Sequence, residues 1–157
     1  MIMKRMLLAL VLLGASLGVP TVAAAQDSAP VQGKVPKRIS VDHATLDRSL
    51  DKLSKNGLFR VRLASSADPI PLNQIHSWSI TLTDPAGKPI PGAVIQVDGG
   101  MPEHGHGLPT APRVEAGTAP GEYVIRGLEF SMTGWWELRM AISANGQADT
   151  ATFNVVL

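Results

Sequence analysis

Two stretches, IHSWSITLT (75–83) and WWELRMAIS (135–143), alternate apolar and polar side chains residue by residue. Only an extended chain turns such a pattern into one dry face and one wet face. In the first, His76, Trp78, Ile80 and Leu82 share a face against Ser77, Ser79 and Thr81. In the second, Trp136, Leu138, Met140 and Ile142 oppose Glu137 and Arg139. LFRVRLAS (58–65), GAVIQVDG (92–99), PRVEA (112–116), EYVIRG (122–127) and DTATFNVVL (149–157) continue the series. Gly/Pro turn chemistry separates them: DPAGKP (84–89), GTAPG (117–121) and the Asn-Gly step of ANGQA (144–148). The expectation is an all-β, immunoglobulin-like antiparallel sandwich of about seven strands over residues 58–157.

What precedes the strands is of a different kind. Lys4 and Arg5, the apolar run from Leu7 to Val19 and the small residues Ala23 to Ala25 predict a secretory signal peptide over residues 1–25, cleaved before Gln26. The apolar run falls short of the roughly 18 residues of a membrane span, and Gly14, Gly18 and Pro20 interrupt it. Residues 26–41 read as a flexible leader. Residues 42–57, DHATLDRSLDKLSKNG, read as a short helix or linker, because Leu46, Leu50 and Leu53 fall at helical spacing between Asp42 and Gly57. A periplasmic or secreted location is expected, with no integral membrane segment after cleavage.

The full chain carries 14 basic and 13 acidic residues, and removal of the leader with Lys4 and Arg5 leaves 12 against 13, a net charge of −1. A surface so balanced offers no footprint for nucleic acid. With no cysteine in the chain, neither disulfides nor thiolate metal sites are available. No phosphate loop, Gly-x-Ser-x-Gly or His-Glu-x-x-His run occurs, so a non-enzymatic protein is expected.

The one segment rich in ligand-type residues is GGMPEHGHGLPTAP (99–112), a long proline-stiffened connection. Met101, His104 and His106 lie within six residues, with glycines at 105 and 107 that let the backbone bend. Thioether sulfur with imidazole nitrogen favours copper, as Cu(I) or Cu(II). Zinc is the lesser alternative, held by His104 and His106 with Glu103 as a third donor. His76, at the start of its strand, and Met132, in the turn of LEFSMTGWW, are the candidates to complete the set. Each has a plainer role open to it: His76 as a hydrogen-bonded core residue, Met132 as a plug at the sandwich end. Trp78 and Trp136 belong to the core by their position on inner faces, and His43 is expected in solvent.

The runs NQIHSW, DPAGKPIPGAVIQVDGGMPEHGHGLPTAPRV and GEYVIRGLEFSMTGWWELRMAI resemble the YtkA-like domain, related in pattern to the FixH proteins of haem–copper oxidase assembly. The Met-Pro-x-His-x-His-Gly and Phe-x-Met-x-Gly-x-Trp runs are the most specific parts of the likeness. The resemblance implies an exported, non-enzymatic sandwich linked to copper handling or respiratory-oxidase assembly. Its motif positions fall on His76, Met101, His104, His106 and Met132. DPAGKPIPGAVIQV is also similar to strand pairs of transthyretin-like sandwiches. Two functions stand at this level. One is a soluble copper-binding protein that holds or delivers a single ion, with a copper-transport or oxidase-assembly protein as partner. The other is an interaction module with 99–112 as recognition surface, Trp135 as exposed anchor and no metal.

Overall fold

Alternation in the sequence becomes alternation in burial: Trp136, Leu138, Met140 and Ile142 are sealed in the core while Arg139 between them is exposed. The computed structural model describes residues 40–157; the expected signal peptide and residues 26–39 of the expected leader lie outside them. Among the described residues, nine strands follow a single 3-10 turn at His43–Thr45. They are β1 (Asp51–Leu53), β2 (Arg60–Ser65), β3 (His76–Thr83), β4 (Val94–Met101), β5 (His106–Gly107), β6 (Arg113–Ala116), β7 (Glu122–Leu128), β8 (Trp135–Ala144) and β9 (Gln147–Val156).

These strands form two antiparallel sheets, one ordered β1-β2-β3-β7-β6 and the other β5-β4-β8-β9, so the expected β-sandwich is the architecture. The chain changes sheet between β3 and β4, between β5 and β6, and between β7 and β8. Side chains from both inner faces meet in one core that includes Phe59, Trp78, Ile80, Phe130, Trp136 and Phe153. Burial of such apolar surface is the main favourable term in folding. At the β3-to-β4 crossing the Tyr123 hydroxyl donates to the Ile90 carbonyl at 2.7 Å and accepts from the Ala93 amide at 2.8 Å. The β8–β9 hairpin closes on Ala144 and Gln147, with Asn145 (φ 52°) and Gly146 (φ 74°) both left-handed, as the Asn-Gly signal predicts.

Two local expectations are corrected. Residues 42–57 form no longer helix: Asp42 caps only the 3-10 turn, accepting from the Ala44 amide, and residues 51–53 join the sheet as β1. The free edge of β2 is the reason. It pairs Asp51 with Arg62 and Leu53 with Arg60, and the Leu63 amide donates to the Leu50 carbonyl at 2.7 Å. Ladder bonds with a partner strand outweigh the weak helical preference of three leucines. The segment 99–112 is likewise not a plain loop, since β4 runs through Gly99, Gly100 and Met101 and returns as β5. Those two glycines serve close strand approach. A Cβ on Gly99 would lie 2.6 Å from the Glu137 carbonyl oxygen, and one on Gly100 would collide with the His106 carbonyl oxygen.

Candidate functional site

The antiparallel ladders collect several strand termini at one end of the sandwich. His76 opens β3 opposite Leu128 at the close of β7, and Gly100 near the end of β4 pairs with Glu137 near the start of β8. Across the two sheets, Phe130 packs on His76 with ring centroids 5.5 Å apart and on Trp136 at 5.2 Å.

A tight hairpin dominates this end. Met101 pairs with His106, and residues 102–105 make the turn between them. The Met101 carbonyl accepts from the His104 amide at 3.1 Å and from the Gly105 amide at 2.8 Å, while Gly105 takes the left-handed φ of 71° that a side chain resists. This geometry brings the His104 and His106 rings to 5.8 Å, both exposed to solvent. The His106 Nδ1 lies 3.0 Å from the Gly107 carbonyl oxygen. A carbonyl only accepts, so this contact places the proton on Nδ1 and leaves the Nε2 lone pair free for a metal.

Met101 is 1% exposed and projects inward, its methyl group 2.8 Å from where a Cβ on Gly134 would stand. Continuing the β4–β8 register by one residue from Gly100–Glu137 places Trp136 beside Met101, on the strand flanking it opposite His106. The His106 ring stands edge-on to the Trp136 ring at 5.7 Å. The Trp136 indole N–H donates to the Met132 carbonyl at 3.0 Å, which ties the β7–β8 turn to the same spot while the Met132 residue stays 38% exposed.

Of the five candidate residues, Met101, His104 and His106 are thus drawn together, and the Met132 carbonyl is bonded to Trp136, which the His106 ring touches. His76 is set apart. It is 9% exposed, with its ring against Phe130, so that Phe130 and Trp136 lie in sequence between it and His106. Its Nδ1 donates to the Gln74 carbonyl at 3.0 Å, and its buried Nε2 has no hydrogen-bond partner among the described residues.

Glu103 is engaged elsewhere. His43 Nε2 donates to Glu103 Oε2 at 2.9 Å, and the Val41 amide reaches Oε1 at 3.4 Å. The His43 hydrogen bond, against a smaller opposing push from burial, holds this carboxyl below the usual carboxylate range. Among the described residues no three His, Asp or Glu side chains converge as metal donors, so the zinc set of His104, His106 and Glu103 is not assembled.

The expected exposed anchor, Trp135, is buried at 5% exposure. Residues 41–47 lie over it: the His43 ring meets the Trp135 ring edge-on at 6.3 Å, and Asn154 links the two by accepting from the indole N–H at 3.0 Å and donating to the Asp47 carbonyl at 2.9 Å. His43, expected in solvent, is therefore half-buried against Trp135 and Glu103, partners that its neighbours in sequence do not announce. Phe130, the ring between His76 and Trp136, was marked in the sequence only by its place in the Phe-x-Met-x-Gly-x-Trp run.

A two-sheet antiparallel sandwich with a Met/His hairpin at one end is the class of domain these features define. The YtkA-like family model matches residues 51–141, more than half of the chain, and the protein belongs to that family. All five candidate residues fall inside the matched span. No curated protein matches the chain. A solved structure titled ZirS C-terminal Domain is similar over 92% of this chain and 97% of its own, at 11% identity and a TM-score of 0.39, a likeness too loose to bear on function. Among the described residues no helix is long and apolar enough to cross a membrane.

Proposed function

We propose that this YtkA-like sandwich is an exported, non-enzymatic protein that binds a single copper ion at its β4–β5 hairpin and holds or hands it on. The observation that carries the reading is the cross-strand pair of Met101 and His106 with the His104 ring 5.8 Å from that of His106. Two imidazoles and a thioether within six residues of one hairpin are a soft-to-borderline donor set, which suits copper better than a hard cation. His104 and His106 would supply nitrogen and Met101 sulfur, with Met132 as a second thioether at the exposed rim. His76, two rings behind, supports the aromatic wall in this reading. A set with solvent on one side leaves a position through which a copper-transport or oxidase-assembly partner takes the ion.

The interaction module without metal has less support, because its anchor, Trp135, is covered by residues 41–47. Titration of Cu(I), Cu(II) and Zn(II) into the metal-free protein, followed by the thermal midpoint, decides between the two. Copper at about a hundred times its Kd adds about 2.7 kcal/mol of stability. An unshifted midpoint, or an equal shift in the His104→Ala/His106→Ala variant, rejects the copper site.

A further inference from the structure

We infer that the Trp136 indole is the inner wall of the metal position and makes the site selective for a monovalent soft ion, Cu(I), over Cu(II). The inference rests on the copper reading and specifies its ion. Three features of the hairpin end lead to it. Met101 pairs with His106, whose ring touches that of Trp136, and the β4–β8 register continued one residue past Gly100–Glu137 puts Trp136 on the other side of Met101, so an ion shared by the thioether and the imidazole has the indole as its neighbour. The His106 ring already stands 5.7 Å from the Trp136 ring, and a cation within about 6 Å of an indole centroid is attracted by its π face. The indole N–H is held by the Met132 carbonyl at 3.0 Å, so the ring is fixed in place and its donor is not free to bind a metal-bound water or an anion.

What lies behind the hairpin matters as much as what is on it. Beneath Trp136 come Phe130, with its ring centroid 5.2 Å away, and then Trp78, 6.3 Å from Phe130, so that aromatic carbon backs the indole. Cu(II) favours tetragonal surroundings with several nitrogen or oxygen donors. Cu(I) has a filled d shell, takes two or three ligands readily and accepts a soft thioether and a π face. A wall of carbon on the inner side therefore penalises the oxidised ion and tolerates the reduced one.

The test uses Ag(I), a redox-inert monovalent stand-in for Cu(I), with the metal-free purified protein. The side-chain N–H signals of the three tryptophans are followed by NMR while the thermal midpoint is recorded in parallel. One equivalent of Ag(I) is expected to raise the midpoint and to move the Trp136 signal more than those of Trp78 and Trp135. Trp136→Phe, which leaves a weaker π face, is expected to weaken Ag(I) binding by roughly three- to tenfold. A raised midpoint with an unmoved Trp136 signal overturns this inference and leaves the copper reading standing. No rise in the parent overturns this inference, and the copper reading falls with it only if Cu(II) also leaves the midpoint unmoved. The NMR arm needs no substitution, so it decides the matter even if the Phe variant fails to fold.

Discussion

Met101 and His106 stand opposite one another on the last rung of the β4–β5 ladder, the one sealed from solvent and the other open to it. Met101 is thus both a core residue and a candidate ligand, and two substitutions separate the roles. Met101→Ala leaves a cavity against Gly134 and should cost about 2–5 kcal/mol in urea denaturation. Met101→Leu conserves volume and should cost less than about 1.5 kcal/mol, yet it removes the sulfur and should abolish most of the copper-induced rise in thermal midpoint. A Leu variant that responds to copper as the parent does would remove Met101 from the ligand set.

Gly100 and Gly107 face each other across the same hairpin but differ in what surrounds them. A Cβ on Gly100 collides with the His106 carbonyl oxygen and comes within 3.0 Å of the Gly107 Cα, whereas one on Gly107 meets only the Gly99 carbonyl oxygen at 3.5 Å. Gly100→Ala should therefore lower stability by about 1–3 kcal/mol and weaken the copper response, because backbone atoms must move apart. Gly107→Ala should change both far less. Equal effects from the two would mean that hairpin closure does not control the site.

Asp149 gives the fold an acid-sensitive tie between β9 and the β1–β2 turn. Burial pushes its carboxyl up, but hydrogen bonds from the Ser54 hydroxyl and from the Thr150, Asn56 and Leu58 amides together pull it down to about 2. The folded value lies below the ordinary 3.8, so the stabilisation is complete above about pH 4 and disappears as pH falls through 2. Asp149→Asn should lower the urea midpoint at pH 6, and the gap to the parent should narrow at pH 2.5. A gap that stays constant over that range would show that ionisation of Asp149 is not what matters.

His43 and Glu103 fasten residues 41–47 onto the hairpin turn through a half-exposed contact. Half-exposed pairs contribute little to global stability, so His43→Ala should leave the thermal midpoint nearly unchanged. Its effect should instead be local: faster amide exchange over 41–47 and a red-shifted Trp135 emission as that indole is uncovered. Unchanged exchange would mean the Asn154–Asp47 bond alone holds the segment.

The sandwich was legible because its strands carry their own face assignment: Trp136-x-Leu138-x-Met140-x-Ile142 names the inner side without reference to any other segment. The errors arose where the deciding partner is distant. Leu46, Leu50 and Leu53 read as a helix because nothing nearby shows that the edge of β2 is free. Gly100 read as loop because a glycine that permits close approach looks, in sequence, like one that permits a bend. Trp135 read as exposed because its cover comes from His43 and Asp47, about ninety residues earlier. The gathering of Met101, His104 and His106 was foreseeable from their spacing; the row of rings that divides His106 from His76 was not, since it needs Phe130 from one turn and Trp136 from a strand of the other sheet.

The Leu157 amide and carbonyl both bond to Gly134, at 3.1 and 2.9 Å, and the Val41 amide bonds to Glu103, so both ends of the described chain are moored beside the hairpin turn. Whatever is attached after Leu157 thereby starts beside Gly134, against which the Met101 methyl group packs. A polyhistidine tag there would meet the hairpin at an effective concentration of about millimolar, and would take up or share the ion under study. The same proximity makes a fluorophore or chelator fused after Leu157 a reporter of what arrives at the turn.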